Sequence, residues 1–360
     1  MTLSRPLTWI ILLGTILMAG ILRQFHEMPV SPFLPWPVRS LLFFLVLILF
    51  LVFLRGWRGR QEIPYAGQNL RRVNFLAFLP LLIALTLEKW ISITFYEPVF
   101  DAINGDALEP VKANALYVIE SALGLFVVSL ALLPLFRRLR PMLGHYLAPR
   151  GIILALGMTL AAMAVLFGSL FTFFSLSPDS GVHLRWRGFG PASTIILVSQ
   201  VLIAFSEEFY YRGLLQSETA FLLPSLGVTH GRSRRLGAVL LISLAFALEH
   251  RDFRGTPSDE ARKFLFTLSC SAFLGILVML LDNLWLSTGC HFILNCFMLG
   301  STARFRGGGL QFVDLAGRPV LDPSVYIFLF FTLVFILAYV KMALASRAIE
   351  PPAPAKAAAA

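Results

Sequence analysis

Apolar residues in this chain gather into runs of about twenty, separated by short segments rich in arginine, proline and glycine. A run of that length crosses the hydrocarbon core of a bilayer as a helix. The predicted fold is therefore an all-α polytopic membrane bundle of about ten transmembrane helices. The predicted spans are Pro6–Leu22, Phe33–Leu54, Phe75–Tyr96, Ala115–Phe136, Gly151–Phe174, Ala192–Leu215, Leu236–His250, Phe264–Leu281, Leu284–Gly300 and Val325–Ala345.

The composition agrees with a membrane protein. Apolar residues make up 57% of the chain, charged residues only 14%, and the mean hydropathy is +0.77. A soluble domain would carry roughly a quarter charged residues. The formal charge of +10 comes largely from basic residues between the apolar runs. We therefore expect the lipid bilayer as a partner, and no nucleic acid.

The charges of the loops predict how the chain is oriented. Basic clusters follow the second, fourth and sixth predicted spans, whereas acidic residues collect between the third and the fourth. The positive-inside rule then places both termini in the cytoplasm. No small-residue cleavage site ends the first span, so we interpret it as a retained anchor. These features together predict an integral protein of a bacterial inner membrane.

The polarity of the spans changes near residue 185. Ionisable residues are few in the earlier spans, while polar residues accumulate in the later ones. We divide the chain into an N-terminal multi-span region of unassigned role, a core that carries the candidate chemistry, a loop with the last transmembrane helix, and a Pro/Ala tail predicted to be disordered. The respective ranges are 1–185, 186–304, 305–348 and 349–360.

Two adjacent carboxylates, Glu207 and Glu208, interrupt the sixth predicted span. Ionisable groups at membrane depth are unfavourable by several kcal/mol and usually serve a pathway or a reaction. On a helix, Glu208 and Arg212 stand one above the other, where a carboxylate and a guanidinium can pair. Glu207 points elsewhere and can face a cavity. Taken alone, the stretch is also consistent with a structural ion pair.

Further polar residues lie in two later spans. The seventh ends in Glu249 and His250, and the ninth carries His291 and Asn295 one helical turn apart. His250 alone could be a histidine satisfied at a helix end, and His291 with Asn295 could be an interhelical hydrogen-bond pair. Together with the carboxylates of the sixth span they predict one polar cavity. Glu249 adds a carboxylate that could act as a competing base or face solvent.

A glutamate and a histidine on opposite sides of such a cavity can hold and deprotonate a water molecule. His291 and Asn295 can donate hydrogen bonds to the oxyanion of a tetrahedral intermediate, and one such donor is worth about 3 kcal/mol. Cys290 adjoins His291 in sequence, but neighbouring helical residues face different ways, so an activated cysteine nucleophile is not indicated. The residues favour water-mediated amide hydrolysis without a covalent intermediate.

Three motifs in this order resemble the signatures of the CPBP family, the CAAX-protease and bacteriocin-processing intramembrane endopeptidases. They are Glu207-Glu208-x-x-x-Arg212, Phe246-x-x-x-His250 and His291-x-x-x-Asn295. The resemblance covers roughly residues 190–300. It implies an intramembrane glutamic endopeptidase whose substrate we expect to be a membrane-associated protein or peptide.

The resemblance also implies a role for each matched residue. By it, Glu207 and His250 activate the water, His291 and Asn295 form the oxyanion hole, and Glu208 and Arg212 support the site. No cofactor and no metal are expected.

Three alternatives stay open at this point. Glu207, His250 and His291 could ligate zinc as a His₂Glu set. A proton-coupled transporter could use the same buried carboxylates as a relay, although no paired half-sequences are visible. The chain could also be a catalytically silent scaffold.

The predicted span limits disagree with the motifs. Glu207 lies about 18 Å along its helix from Ile195, toward the cytoplasmic end, whereas His250 ends a span on the far side. Either the seventh span is tilted, broken or re-entrant, or its limits are wrong. We give the motifs precedence.

Overall fold

The computed structural model describes residues 2–27, 72–91, 110–133, 136, 139–153, 155–157, 160, 183–187, 191–250, 257–301 and 309–313. About 90% of the described residues are helical, in agreement with the predicted all-α class. The predicted spans Phe33–Leu54 and Val325–Ala345, most of Gly151–Phe174, and the predicted tail 349–360 lie outside these residues.

The N-terminal region contributes helices α1 to α4 and a short strand pair. Their bounds are β1 Thr2–Ser4, α1 Arg5–Glu27, β2 Arg72–Asn74, α2 Leu79–Ile91, α3 Pro110–Leu132 and α4 Arg140–Tyr146. Strand β1 pairs antiparallel with β2, with Leu3 opposite Val73. Helix α3 ends before the predicted limit at Phe136 because the sequence places a proline at position 134, and helices usually end before a proline.

The C-terminal region contains the helices of the candidate site. Its elements are β3 His183–Arg187, α5 Pro191–Glu207, a π-helix Glu208–Gln216, α6 Ser217–Leu222, α7 Gly231–Glu249, α8 Pro257–Leu281, α9 Leu284–Ser301 and β4 Gly309–Val313. Strands β3 and β4 pair antiparallel. Neither strand pair was predicted. β3 does alternate polar and apolar residues, but it is too short to stand out beside runs of twenty.

The sixth and seventh spans have different limits from those predicted. Helical structure continues without a break from Pro191 to Leu222, although the predicted span ended at Leu215. Residues 216–219 are polar yet buried, so hydropathy alone ended the span too early. The chain turns at Gly227, whose φ of 98° favours glycine, and α7 begins at Gly231 instead of Leu236.

These limits remove the disagreement between spans and motifs. Near the turn, Leu223 lies against Gly237, where a Cβ would be 3.2 Å from the leucine Cδ1. Further along, the rings of Tyr211 and Phe246 have centroids 4.9 Å apart. Helix α7 therefore runs back alongside the π-helix, and its end reaches the level of Glu207. The predicted span limits, and not the motifs, were wrong.

The described residues include one helix that is long and apolar enough to cross a membrane, Lys263–Leu281, with a mean hydropathy of 2.4. Two shorter apolar stretches, Arg5–Met18 and Ser121–Leu130, lie within α1 and α3. The prediction of ten spans is therefore not confirmed.

Apolar packing joins the N-terminal helices to the helices of the site. One cluster of buried side chains includes Ile16 of α1, Leu81 of α2 and Leu214 of the π-helix. The hydroxyl of Tyr210, in the π-helix, donates to the carbonyl of Ala84 in α2. A smaller cluster packs α8 against α9. The helices of the site are thus held by apolar packing against α1 and α2 and by the packing of α8 against α9.

The π-helix lies close to α8 at Gly275. The Gln216 Nε2 donates to the Gly275 carbonyl at 3.0 Å. A Cβ at position 275 would lie 2.6 Å from Gln216 Oε1 and 3.1 Å from Val239 Cγ1. A side chain at position 275 would therefore displace the amide of Gln216 from this contact.

We expect Gly275→Ala to lower the free energy of unfolding by about 1–3 kcal/mol, because the buried Gln216 must give up its hydrogen bond to make room. Gly144→Ala is the matched control: it is also helical, and a Cβ there meets nothing within 4 Å. Alanine favours the helix, so the control should lose no stability. Thermal unfolding in detergent measures both. Equal stability of the two variants would contradict the tight approach.

Candidate active site

The two adjacent carboxylates lie where α5 passes into the π-helix. Glu207 is the last residue of α5 and Glu208 the first of the π-helix, whose nine residues are all buried. A π-helix is bonded i→i+5 instead of i→i+4, and short π segments are frequent at functional sites. A regular helix was predicted here. Nothing in the apolar pattern or the motif spacing indicates the wider turn.

Glu208 is fully buried and contacts three side chains. Its Oε1 lies 2.8 Å from His291 Nδ1, and its Oε2 lies 3.5 Å from Arg212 Nε. The hydroxyl of Ser287, on α9, donates to Oε2. The predicted pairing of Glu208 with Arg212 is thus present in the structure. It is one of three contacts around the carboxylate.

Arg212 is 1% exposed and continues this network to α8. Its Nη2 donates to the hydroxyl of Ser271 at 2.9 Å and to the Ser271 carbonyl at 3.3 Å. The guanidinium carbon lies 4.7 Å from the ring centroid of Phe246, within the range of a cation–π contact. Arg212 therefore joins the π-helix to α7 and α8.

Glu207 has a different environment, because it is partly open. Its side chain is 14% exposed and that of the neighbouring His250 is 32% exposed. Glu207 Oε1 lies 3.6 Å from His250 Nε2, and Glu207 Oε2 lies 3.4 Å from His291 Nε2. The carboxylate thus stands between two imidazole rings. It is close to both and tightly hydrogen-bonded to neither.

His250 follows the last residue of α7 and is held by Phe246, one turn earlier. Its Nδ1 lies 2.8 Å from the Phe246 carbonyl oxygen. A carbonyl oxygen only accepts, so Nδ1 carries the hydrogen and Nε2 is directed at Glu207. The rings of His250 and Phe246 also stack, with centroids 4.0 Å apart. Both contacts fix the orientation of the imidazole.

His291 bridges the two carboxylates from α9. Its Nδ1 contacts Glu208 and its Nε2 contacts Glu207. Asn295 stands one turn further along the same helix and is partly exposed. The structure thus joins five of the six predicted site residues in one connected set of contacts, and the sixth, Asn295, lies on α9.

Among the described residues, no group of three or more His, Cys, Asp or Glu side chains is arranged to hold a metal ion. Glu207, His250 and His291 do lie together, but Glu207 turns a different oxygen toward each histidine. The zinc alternative gains no support from this arrangement.

Four buried side chains border the site although they were not predicted as site residues. Ser287 lies four residues before His291, and Tyr211 lies four residues after Glu207, so spacing along a helix could have indicated both. No sequence pattern indicates Ser271, because its contact with Arg212 arises only from tertiary packing. Glu249 does not face solvent: it is 1% exposed and accepts a hydrogen bond from the Tyr211 hydroxyl.

Comparison with known proteins bears on the segment that holds all six candidate residues. Residues 190–297 match the family model described as type II CAAX prenyl endopeptidase, Rce1-like. No curated protein and no solved structure matches the chain. The family match indicates a CAAX-type protease, a hydrolase, and supports neither the transporter nor the zinc alternative. The resemblance drawn from the three motifs is thereby confirmed: residues 190–297 are an Rce1-like domain of the CPBP family.

Proposed function

We propose that this protein is an intramembrane glutamic endopeptidase that hydrolyses a peptide bond of a membrane-associated protein or peptide. The observation that carries the proposal is the partly open gap between Glu207 and His250. A base, a histidine directed at it and access for water are what direct hydrolysis requires. The carboxylate beside it, Glu208, is closed off and fully paired, so the two glutamates have different parts in the site.

The gap has the dimensions for a shared water. Two atoms 3.6 Å apart can each lie about 2.8 Å from one water molecule placed at the apex of a triangle. In that position Glu207 accepts one hydrogen of the water. His250 accepts the other through Nε2, the nitrogen left without a hydrogen by the contact to Phe246. The water oxygen is then free to attack a carbonyl carbon.

The proposed reaction has two steps. Glu207 takes a proton from the water while the water oxygen bonds to the carbonyl carbon, which gives a tetrahedral oxyanion. The carbon–nitrogen bond then breaks, and the proton held by Glu207 passes to the leaving amine. General acid–base catalysis of this kind contributes about 10²–10⁴-fold to the rate. No covalent intermediate with the protein is formed.

His291 and Asn295 stabilise the oxyanion in this scheme. His291, with a hydrogen on each nitrogen, donates to Glu208 through Nδ1 and to the oxyanion through Nε2. The contact to Glu208 at 2.8 Å fixes the ring for this task. The amide of Asn295, one turn away, supplies a second donor.

The proposed location is a membrane, with both termini in the cytoplasm. Members of the matched family are membrane proteins, and the loop charges of this chain support the proposed orientation. The family description names a prenyl endopeptidase, so a prenylated C-terminal peptide belongs among the substrates to be assayed.

We expect Glu207→Gln to abolish cleavage, because the substitution keeps the shape of the side chain and removes the base. The measurement is a profile of protein termini in the membrane fraction of cells that carry the wild type or the variant. Termini that vanish in the variant identify the cleavage sites. The rate on a peptide that contains such a site should fall by about 10²–10⁴-fold.

The matched control is Glu260→Gln, the same change at a buried glutamate on α8, about 16 Å along that helix from Ser271. It should leave the termini of the wild type in place. An unchanged set of termini in Glu207→Gln, with normal accumulation of the protein, would overturn the proposed function.

Arg212→Met should lower the free energy of unfolding by about 3–5 kcal/mol, because the buried Glu208 carboxylate then loses its guanidinium partner. The double variant Glu208→Gln/Arg212→Met should regain part of that loss, since it removes both charges. Thermal unfolding in detergent tests this. A double variant less stable than Arg212→Met would show that the pair is not the source of the effect.

We expect the chelator 1,10-phenanthroline to leave the cleavage rate of the purified protein unchanged, since the proposed base and the oxyanion donors are side chains of the protein. Loss of activity that is restored by added zinc would contradict the glutamic mechanism.

A further inference from the structure

We infer that Tyr211 and Glu249 form a positioning pair that sets His250 at its distance from Glu207. The hydroxyl of Tyr211, in the π-helix, donates to the carboxylate of Glu249, the last residue of α7. Neither residue is a matched position of the three motifs. The inference rests on the proposed function, because it assigns the pair to the geometry of the same water-activating site.

The place of Glu249 is unfavourable for a carboxylate on two counts. The C-terminal end of a helix carries a partial negative charge, which repels an acidic side chain. The residue is also only 1% exposed, and a buried carboxylate needs hydrogen bonds to replace its hydration. The Tyr211 hydroxyl supplies such a bond. An apolar residue would be easier to bury there, so the carboxylate indicates a specific task.

The task follows from where Tyr211 lies on its helix. Residues four apart stand next to each other on a helix face, so Tyr211 shares with Glu207 the face that turns toward α7. Two contacts therefore join the same two segments: Glu207 to His250, and Tyr211 to Glu249. The Tyr211 ring also meets the edge of Phe246, whose own ring stacks on His250. Tyr211 therefore contacts Glu249, which precedes His250 in the chain, and Phe246, whose ring stacks on His250.

The hydrogen bond between Tyr211 and Glu249 stabilises the end of α7. The last carbonyls of a helix have no intrahelical partner, and His250 lies just beyond the final turn, with φ −89° and ψ 1°. The hydrogen bond at Glu249 ties this end to the π-helix. Without it, one of the contacts that hold this end of α7 against the π-helix is lost, and His250 shifts relative to Glu207 and the water. A misplacement of about 1 Å can lower the rate by about 10²-fold.

The test measures kcat and KM on a peptide that contains a cleavage site found by the termini profile. Tyr211→Phe removes the hydroxyl and keeps the buried ring. We expect kcat to fall by about 10- to 100-fold while KM stays within about twofold, since the pair does not touch the substrate. Tyr210→Phe removes the same atom from the neighbouring residue, whose hydroxyl donates to Ala84 instead, and should keep the kcat of the wild type.

Variants of the acceptor separate positioning from bulk stability. Glu249→Gln still offers an oxygen to the Tyr211 hydroxyl and should stay within about threefold of the wild-type kcat. Glu249→Leu removes the acceptor and should match Tyr211→Phe. If the two residues act as one unit, the double variant Tyr211→Phe/Glu249→Leu should be no slower than the slower single variant.

Wild-type kcat in Tyr211→Phe or in Glu249→Leu would overturn the inference. An equal fall in Tyr210→Phe would also overturn it, because the effect would then be general loosening of the π-helix. Failure of the proposed function has a different signature, since wild type and Glu207→Gln would then give the same termini.

Discussion

Charge buried among apolar helices is the constraint on which the rest of this structure depends. Glu208 and Arg212 are 0% and 1% exposed, and such groups are tolerated only when partners replace their hydration. The partners come from other helices: Ser287 and His291 on α9, and Ser271 on α8. The contacts that neutralise the two charges therefore also fasten α8 and α9 to the π-helix and set the ring of His291.

The stretch from Glu207 to Arg212 contacts its neighbours on two faces. Glu208 and Arg212 are closed in by residues of α7, α8 and α9. Glu207 stands between His250 and His291, where the site is partly open. Two glutamates adjacent in sequence thus differ in access to water. Because of that difference in access, and not of residue type, the proposed mechanism assigns proton transfer to Glu207 and support to Glu208.

The candidate residues could be predicted because polar side chains inside apolar runs are conspicuous and their spacing follows the helix. The π-helix could not, since the wider turn changes backbone bonding without a matching change in the apolar pattern. The predicted end of the sixth span was wrong for a related reason. Residues 216–219 are polar and buried, and a hydropathy pattern does not distinguish buried polar residues from a loop. Ser271 and Glu249 acquire their contacts only from tertiary packing, which is not visible in one sequence.

The N-terminal region, to which the sequence assigns no chemistry, packs directly against the elements that hold the site. Phe126 of α3 lies 5.9 Å, between ring centroids, from both Phe205 and Phe209, which flank the two glutamates. Asn283 accepts from the backbone N–H of Leu286 at the start of α9, and its amide donates to the carbonyl of Gly151. Because α9 carries His291, this contact links residue 151 to the orientation of that helix. A change in the described part of the N-terminal region can therefore reach the candidate site through packing.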